Sequence, residues 1–346
     1  MNAMKTRTTR AAALGAVAVS ALLVAGCAQG TPEAPAEEEF EPITISVAHT
    51  MLDANPANQI VLEVAERVKE RTDGNIILEV FPASQLGNTT ETTEQASLGQ
   101  AVISYLDAAT ASTYGVDEFG MLGAPFLVSD YDEVERVVSS DLFTGWTDEL
   151  AESANLRILA LNWLAGPRNI VGPKPYTTPD ALEGTKIRIP PLPTWEALFG
   201  TALAATPVTV NASELYTAMQ QGVVDAAELD TPSIRDYGLF ELQKHVTLTG
   251  HFNLFMGFAM PEDLFQSLPG EYQEVLLDEF LKGGKEATDL ATDLAAEART
   301  EMEAAGVTFH QGDVAAYRKA SKAFYDAFPD WDSAVVDELL AIRDGK

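Results

Sequence analysis

Residues 183–195, EGTKIRIPPLPTW, alternate Lys186 and Arg188 with Ile187 and Ile189. As a strand, the segment puts two cations on one face and two isoleucines on the other. Two readings are open for Arg188: an ordinary solvated arginine, or a group aimed at an anion. Upstream, NWLAGPRNIVG carries Trp163 and Arg168; downstream, VVDAAELDTP carries Asp225, Glu228 and Asp230. Carboxylates grouped in this way suit a hard cation. On a strand, Glu228 and Asp230 share a face and Leu229 takes the other.

A catalytic kit is missing. The chain has no GxSxG elbow, no GxGxxG or GxxxxGK[ST] loop, no HExxH and no EF-hand loop. Its four histidines, His49, His245, His251 and His310, are not at metal-ligand spacing from one another. His49 ends the first predicted strand, where α/β proteins place ligand contacts. The single cysteine, Cys27, has no second thiol for a disulfide, a CxxC pair or a zinc site.

Charge excludes some partners. Across 346 residues, 22 Lys+Arg against 52 Asp+Glu give a formal charge of -30, which repels nucleic-acid phosphates and anionic membrane surfaces. The N-terminus has its own logic. Lys5, Arg7 and Arg10 precede an apolar run too short for a comfortable membrane span, and LLVAGC ends it at Cys27. This pattern resembles a bacterial lipobox, which makes residues 1–26 a signal peptide and Cys27 a lipidated first residue. The Ala-, Pro- and Glu-rich stretch that follows, within residues 27–42, reads as a flexible tether. The chain is thus expected outside the cytoplasm, held to the cell membrane only by its lipid.

From Ile43, strand and helix patterns alternate: ITISVAH, then a helix capped by Asn55, then NIILEVFP, AVISYL and LRILALNWL. This argues for an α/β fold with largely parallel sheets. In NASELYTAMQQG, Asn211 and Glu214 have capping-box spacing. Beyond Ser267 lies a long amphipathic helix, its pattern interrupted at Gly283 and Gly284, followed by two terminal helices.

The segments NWLAGPRNIVG, GTKIRIPP and NASELYTAMQQGVVDAAELDTP, with FPASQLGN, APFLVSDYDEVERVV and LTGHF in order around them, resemble the solute-binding proteins of tripartite ATP-independent periplasmic (TRAP) transporters, dicarboxylate-binding type. The resemblance implies two α/β domains hinged about a cleft, one of residues 43–165 plus 255–294, the other of 166–254 plus 295–346. It implies Arg188 as the main carboxylate clamp and Arg168 as the second arginine, with Trp163 and Tyr216 excluding water around them. An arginine fork gives a carboxylate two parallel charge-assisted bonds that a lysine does not reproduce. Glu228 is retained from the family pattern, but Leu229 stands where an asparagine often contacts the ligand, which brings Asp230 into consideration. Near the strand ends of the first domain, Asn88 and Asp107 offer further polar groups.

The expected function is a receptor, not an enzyme, that binds a small organic acid and delivers it to the membrane subunits of a TRAP permease. No cofactor is expected; a cation held by Asp225, Glu228 and Asp230 is the alternative at the site. The rival functions are a secreted metal-assisted hydrolase or isomerase built on those carboxylates and a histidine, and the solute receptor of an ATP-driven transporter.

Overall fold

A computed structural model describes residues 40–53 and 55–346. The signal peptide, Cys27 and the tether as far as residue 39 lie outside the described residues. Among those described, no helix is long and apolar enough to cross a membrane.

Two mixed sheets organise the chain. The first is ordered β2-β1-β3-β10-β4, from β1 (Ile43–Ala48), β2 (Ile76–Phe81), β3 (Val102–Asp107), β4 (Leu156–Trp163) and β10 (Met256–Pro261). The second is ordered β11-β9-β5-β8-β6-β7, from β5 (Arg168–Gly172), β6 (Lys186–Ile189), β7 (Thr206–Thr209), β8 (Ala226–Asp230), β9 (His245–Leu248) and β11 (Thr308–Gln311).

The sheets are less parallel than the strand–helix alternation suggested. In the first, β10 runs antiparallel to β3 and β4; in the second, β5 runs antiparallel to β8 and β9. These are the strands through which the chain enters each sheet from the other, β4 leading into β5 and β9 into β10.

The helices are α1 (Pro56–Arg71), α2 (Thr89–Ser97), α3 (Ala108–Ser112), α4 (Tyr131–Val138), α5 (Asp141–Ala154), α6 (Pro193–Glu196), α7 (Leu215–Gln220), α8 (Thr231–Asp236), α9 (Leu239–Leu242), α10 (Glu262–Ser267), α11 (Gly270–Ala304), α12 (Val314–Ala320) and α13 (Ser333–Arg343). Asn55 caps α1 by accepting from Ala57 N. The capping box falls at Asn88 and Glu91, not at Asn211, whose side chain makes no capping bond.

The glycine pair does not interrupt α11, which is continuous for 35 residues. A Cβ on Gly284 would lie 2.0 Å from Asn162 Oδ1, and one on Gly283 2.6 Å from Val64 Cγ2 and 2.9 Å from Trp163 Cζ2. The glycines therefore let α11 lie directly on the end of β4 and on α1. Further along, Ala298 and Met302 of the same helix enter the apolar cluster of the second sheet with Leu215, Leu229 and Ile234. One helix thus braces both lobes. The chain then packs α13 against α4 of the first lobe.

Candidate functional site

The two arginines reach the cleft by different routes. Arg188 on β6 stands opposite Ala227 of β8, whereas Arg168 on β5 stands opposite Asp230. Residues 227 and 230 alternate to opposite sides of the pleat, so the arginines leave opposite faces of the sheet and converge over its end. Both are buried, at 9% exposure for Arg168 and 5% for Arg188, while Lys186, on the same face as Arg188, is exposed. The bland reading of Arg188 as a solvated residue is excluded by that burial.

Their electrostatic states differ. Arg168 donates from Nε to Glu228 Oε2 at 2.5 Å and from Nη2 to Glu228 Oε1 at 2.8 Å and to the Glu228 carbonyl at 2.7 Å. Glu228 is fully buried and is held further by Trp195 Nε1, which donates to Oε1 at 2.7 Å, with His251 Nε2 3.4 Å from Oε2. Burial alone would push the Glu228 carboxyl up; the Arg168 charge and these hydrogen bonds outweigh it and hold it at about 2.

Arg188 donates from Nε to the Val210 carbonyl at 2.8 Å and, among the described residues, has no carboxylate within ion-pair distance. Burial, relieved in part by the Glu228 charge and reinforced by that of Arg168, lowers it to about 10. It stays protonated at neutral pH, a buried cation bordering open space.

That space is two adjoining chambers of about 170 and about 140 Å³, which share Thr50, Arg168, Arg188, Ala212 and Met256 as lining. The larger is also lined by Tyr105, Trp163, Leu229, Asp230 and Tyr237; the smaller by Asn88, Asp107, Trp195 and Asn211. At about 15 Å³ of such volume per water, the larger chamber admits on the order of ten water-sized groups, the scale of a small metabolite.

Trp163 forms a wall, fixed by donating to the Phe280 carbonyl at 3.0 Å and packed edge-on to Phe258. Asp230 caps α8, its two oxygens accepting from Ser233 N and Ser233 Oγ at 2.8 Å each, and burial pushes its carboxyl up. Asn88 and Asp107 reach the smaller chamber while capping α2 and α3.

Three expected contacts are not at the cavity. Tyr216 turns to the surface and donates to Glu241 Oε2 at 3.1 Å, because the inner face of α7 is taken by Leu215, Ala218 and Met219. His49 lines neither chamber. It is buried behind the end of β1, where desolvation outweighs the raising influence of Asn58, the Met51 backbone and Asp53 and lowers it to about 4. Glu228 stands behind Arg168, its carboxylate already engaged.

The carboxylates proposed for a cation are not gathered. Asp225 is exposed at the far end of β8, accepting from Lys186 N, and among the described residues no group of three or more His, Cys, Asp or Glu is placed to hold a metal. The metal-assisted alternative loses its ligand set.

Trp195, Tyr237, Tyr105 and His251 belong to the site or its support and were not singled out from sequence. The signal for Trp195 was its position just past the end of β6, where ligand contacts gather. Tyr237, just past α8, carried no comparable signal.

The family model for bacterial extracellular solute-binding proteins, family 7 (DctP), matches residues 47–330. The C4-dicarboxylate-binding periplasmic protein DctP of Rhodobacter capsulatus is 30% identical over 276 residues, 78% of this chain and 81% of that protein. The sialic acid-binding periplasmic protein SiaP of Vibrio cholerae is 25% identical over 290 residues, 81% of this chain and 86% of that protein. Among solved structures, a TRAP periplasmic solute binding protein from Ochrobacterium anthropi with bound L-fuconate superposes with a TM-score of 0.83 at 27% identity, covering 87% of this chain and 99% of that one. One from Desulfovibrio salexigens in complex with diglycerolphosphate gives 0.83 at 29% identity, covering 88% and 97%. The fold agrees with these matches, and the chain belongs to the bacterial extracellular solute-binding proteins of family 7.

Proposed function

We propose that this protein is an extracytoplasmic receptor whose two α/β lobes, 43–165 with 255–294 and 166–254 with 295–346, close over a small organic acid and deliver it to a TRAP-type permease. No bond is made or broken. Arg188 receives the carboxylate, with Nη1 of Arg168 as second donor, and Trp163 keeps water out; Asp230, Asn88 and Asp107 border the bound solute. Glu228, Trp195 and His251 hold Arg168 in place. The lipid on Cys27 keeps the receptor at the membrane.

The observation that carries this reading is Arg188: a buried arginine, 5% exposed, lining a small cavity with no ion-paired carboxylate among the described residues. Burying an unpaired cation is unfavourable, and a ligand carboxylate completes the pair. L-fuconate and diglycerolphosphate, bound by the two structural relatives, are both anions, which supports the same reading.

A thermal-shift screen of metal-stripped protein against dicarboxylates, sugar acids, keto acids and amino acids tests it. A ligand at 100 times its Kd adds about 2.7 kcal/mol of stability. The reading fails if no acid shifts the melting curve, or if Arg188→Ala binds the hit as well as wild type does.

A further inference from the structure

The two chambers beside the arginines differ in chemistry. The larger is walled by Tyr105, Trp163, Leu164, Leu229, Tyr237 and Leu294. Most of its polar atoms already have protein partners. Trp163 Nε1 donates to the Phe280 carbonyl, the Tyr105 hydroxyl to Met256 Sδ, both Asp230 oxygens accept from Ser233, and Asp236 accepts from Asn55 and Arg235. Apart from the arginines, a ligand hydroxyl brought there gives up its water and meets only the Thr50 and Tyr237 hydroxyls as unengaged side-chain partners among the described residues. The smaller chamber, by contrast, has Asn88, Thr89, Asp107 and Asn211 along its wall.

Leu229 sharpens the contrast. It lies two residues beyond Ala227, the partner of Arg188, so it shares the face from which Arg188 reaches the cleft. An apolar side chain thus stands beside the cation where a hydrogen-bonding one would read a hydroxyl. Its other contacts are to the apolar cluster of the second sheet, which fixes it in place.

We propose that the solute is a carboxylate with an apolar, ring-sized body, an arylalkanoate or a similarly bulky branched acid. Its carboxylate meets Arg188, and its body lies against Trp163, Tyr105 and Leu229. This rests on the receptor reading above and narrows it: a polyol acid has no use for the larger chamber. Aromatic rings meet apolar and aromatic walls with large buried area and little loss of flexibility.

Calorimetry on the purified protein with phenylacetate, 3-phenyllactate and 4-methyl-2-oxopentanoate, against L-galactonate, D-glucuronate and succinate, tests the proposal. The expected result is at least tenfold tighter binding of one of the first three than of any of the second three. Leu229→Asn should narrow that ratio by about tenfold. Should that variant fail to fold, saturation-transfer NMR on wild type must show the ring or branched-alkyl protons of the bound acid in contact with protein.

Tighter binding of a polyol acid or succinate, lost in Arg188→Ala, overturns this proposal while leaving the receptor reading intact. Binding of no acid at all overturns both.

Discussion

Arg168 and Arg188 meet over the end of one sheet from its opposite faces, and only Arg168 arrives with a carboxylate partner. Glu228 neutralises Arg168 and fixes its orientation through Nε and Nη2, leaving Nη1 without a hydrogen bond among the described residues. Arg168 thus has Glu228 as its counterion, with Asp230 and Asp107 adding to the negative field around it, whereas Arg188 has no comparable ion pair among the described residues. The unmatched charge is on Arg188, and the missing partner is an anion from solution.

Replacing that cation should separate binding from stability. In Arg188→Met the buried charge is gone and the volume roughly kept, so the ligand-free variant should unfold no earlier than wild type, and up to about 2 kcal/mol later. Ligand-induced stabilisation should vanish. Urea melts with and without the acid found in the screen measure both; a strongly destabilised ligand-free variant would show that Arg188 is structural.

Glu228→Gln should do the opposite. It leaves the Arg168 guanidinium buried and unpaired, at a loss of about 3 kcal/mol of stability. The sign with pH follows from the lowered carboxyl of Glu228, about 2 against 4.5. Its stabilisation is complete above about 4.5 and is lost as pH falls toward 2. Denaturation midpoints measured from pH 5 down to 2 should fall less steeply in the variant; parallel slopes would mean the ion pair carries no such linkage.

Much of this was legible in the chain because it depends on local patterns. Alternation around Ile187 and Ile189 marked β6, and Asn55 marked the start of α1. Strand direction was not legible, since a buried strand such as β10 reads alike both ways. The glycine pair of α11 looked like a break because an isolated helix gains nothing from glycine; the close approach of Asn162 and Trp163 is a tertiary fact. At the site, alternation alone left Arg188 open between solvent and an anion, and the family resemblance supplied the choice of Arg188 and Arg168. Tyr216 was chosen and Tyr237 missed because which tyrosine faces the cleft depends on how α7 and α8 pack, not on spacing alone.

His49 gives a pH prediction of a different kind. Its native pKa of about 4 lies below the ordinary 6.5 because the buried ring is costly to charge. The unfolded chain therefore binds the proton first, and stability present above pH 6.5 is lost as pH falls toward 4, by about 3 kcal/mol in all. His49→Gln should remove that slope and leave acid binding at pH 7.5 unchanged, because the residue lines neither chamber. A tenfold loss of affinity in the variant would return His49 to the list of ligand contacts.

The last prediction concerns closure. Asn55, the cap of α1 in the first lobe, donates from Nδ2 to Asp236 Oδ2 at 2.9 Å, at the end of α8 in the second. Both residues line the larger chamber, so the bond spans the cleft beside the ligand. A partly buried hydrogen bond contributes about 1 kcal/mol, and this one exists only while the lobes are together. Asp236→Ala should therefore weaken acid binding about five- to tenfold, almost entirely through a faster off-rate, because opening becomes easier while Arg188 still receives the carboxylate. Loss of the Asp236 carboxylate also leaves Arg235 with only its longer pair to Glu301, a net gain of positive charge that would by itself favour an anion. Stopped-flow release measured at two salt concentrations distinguishes these effects: a faster off-rate at both identifies the cross-lobe bond, whereas a slower one that salt abolishes identifies charge alone.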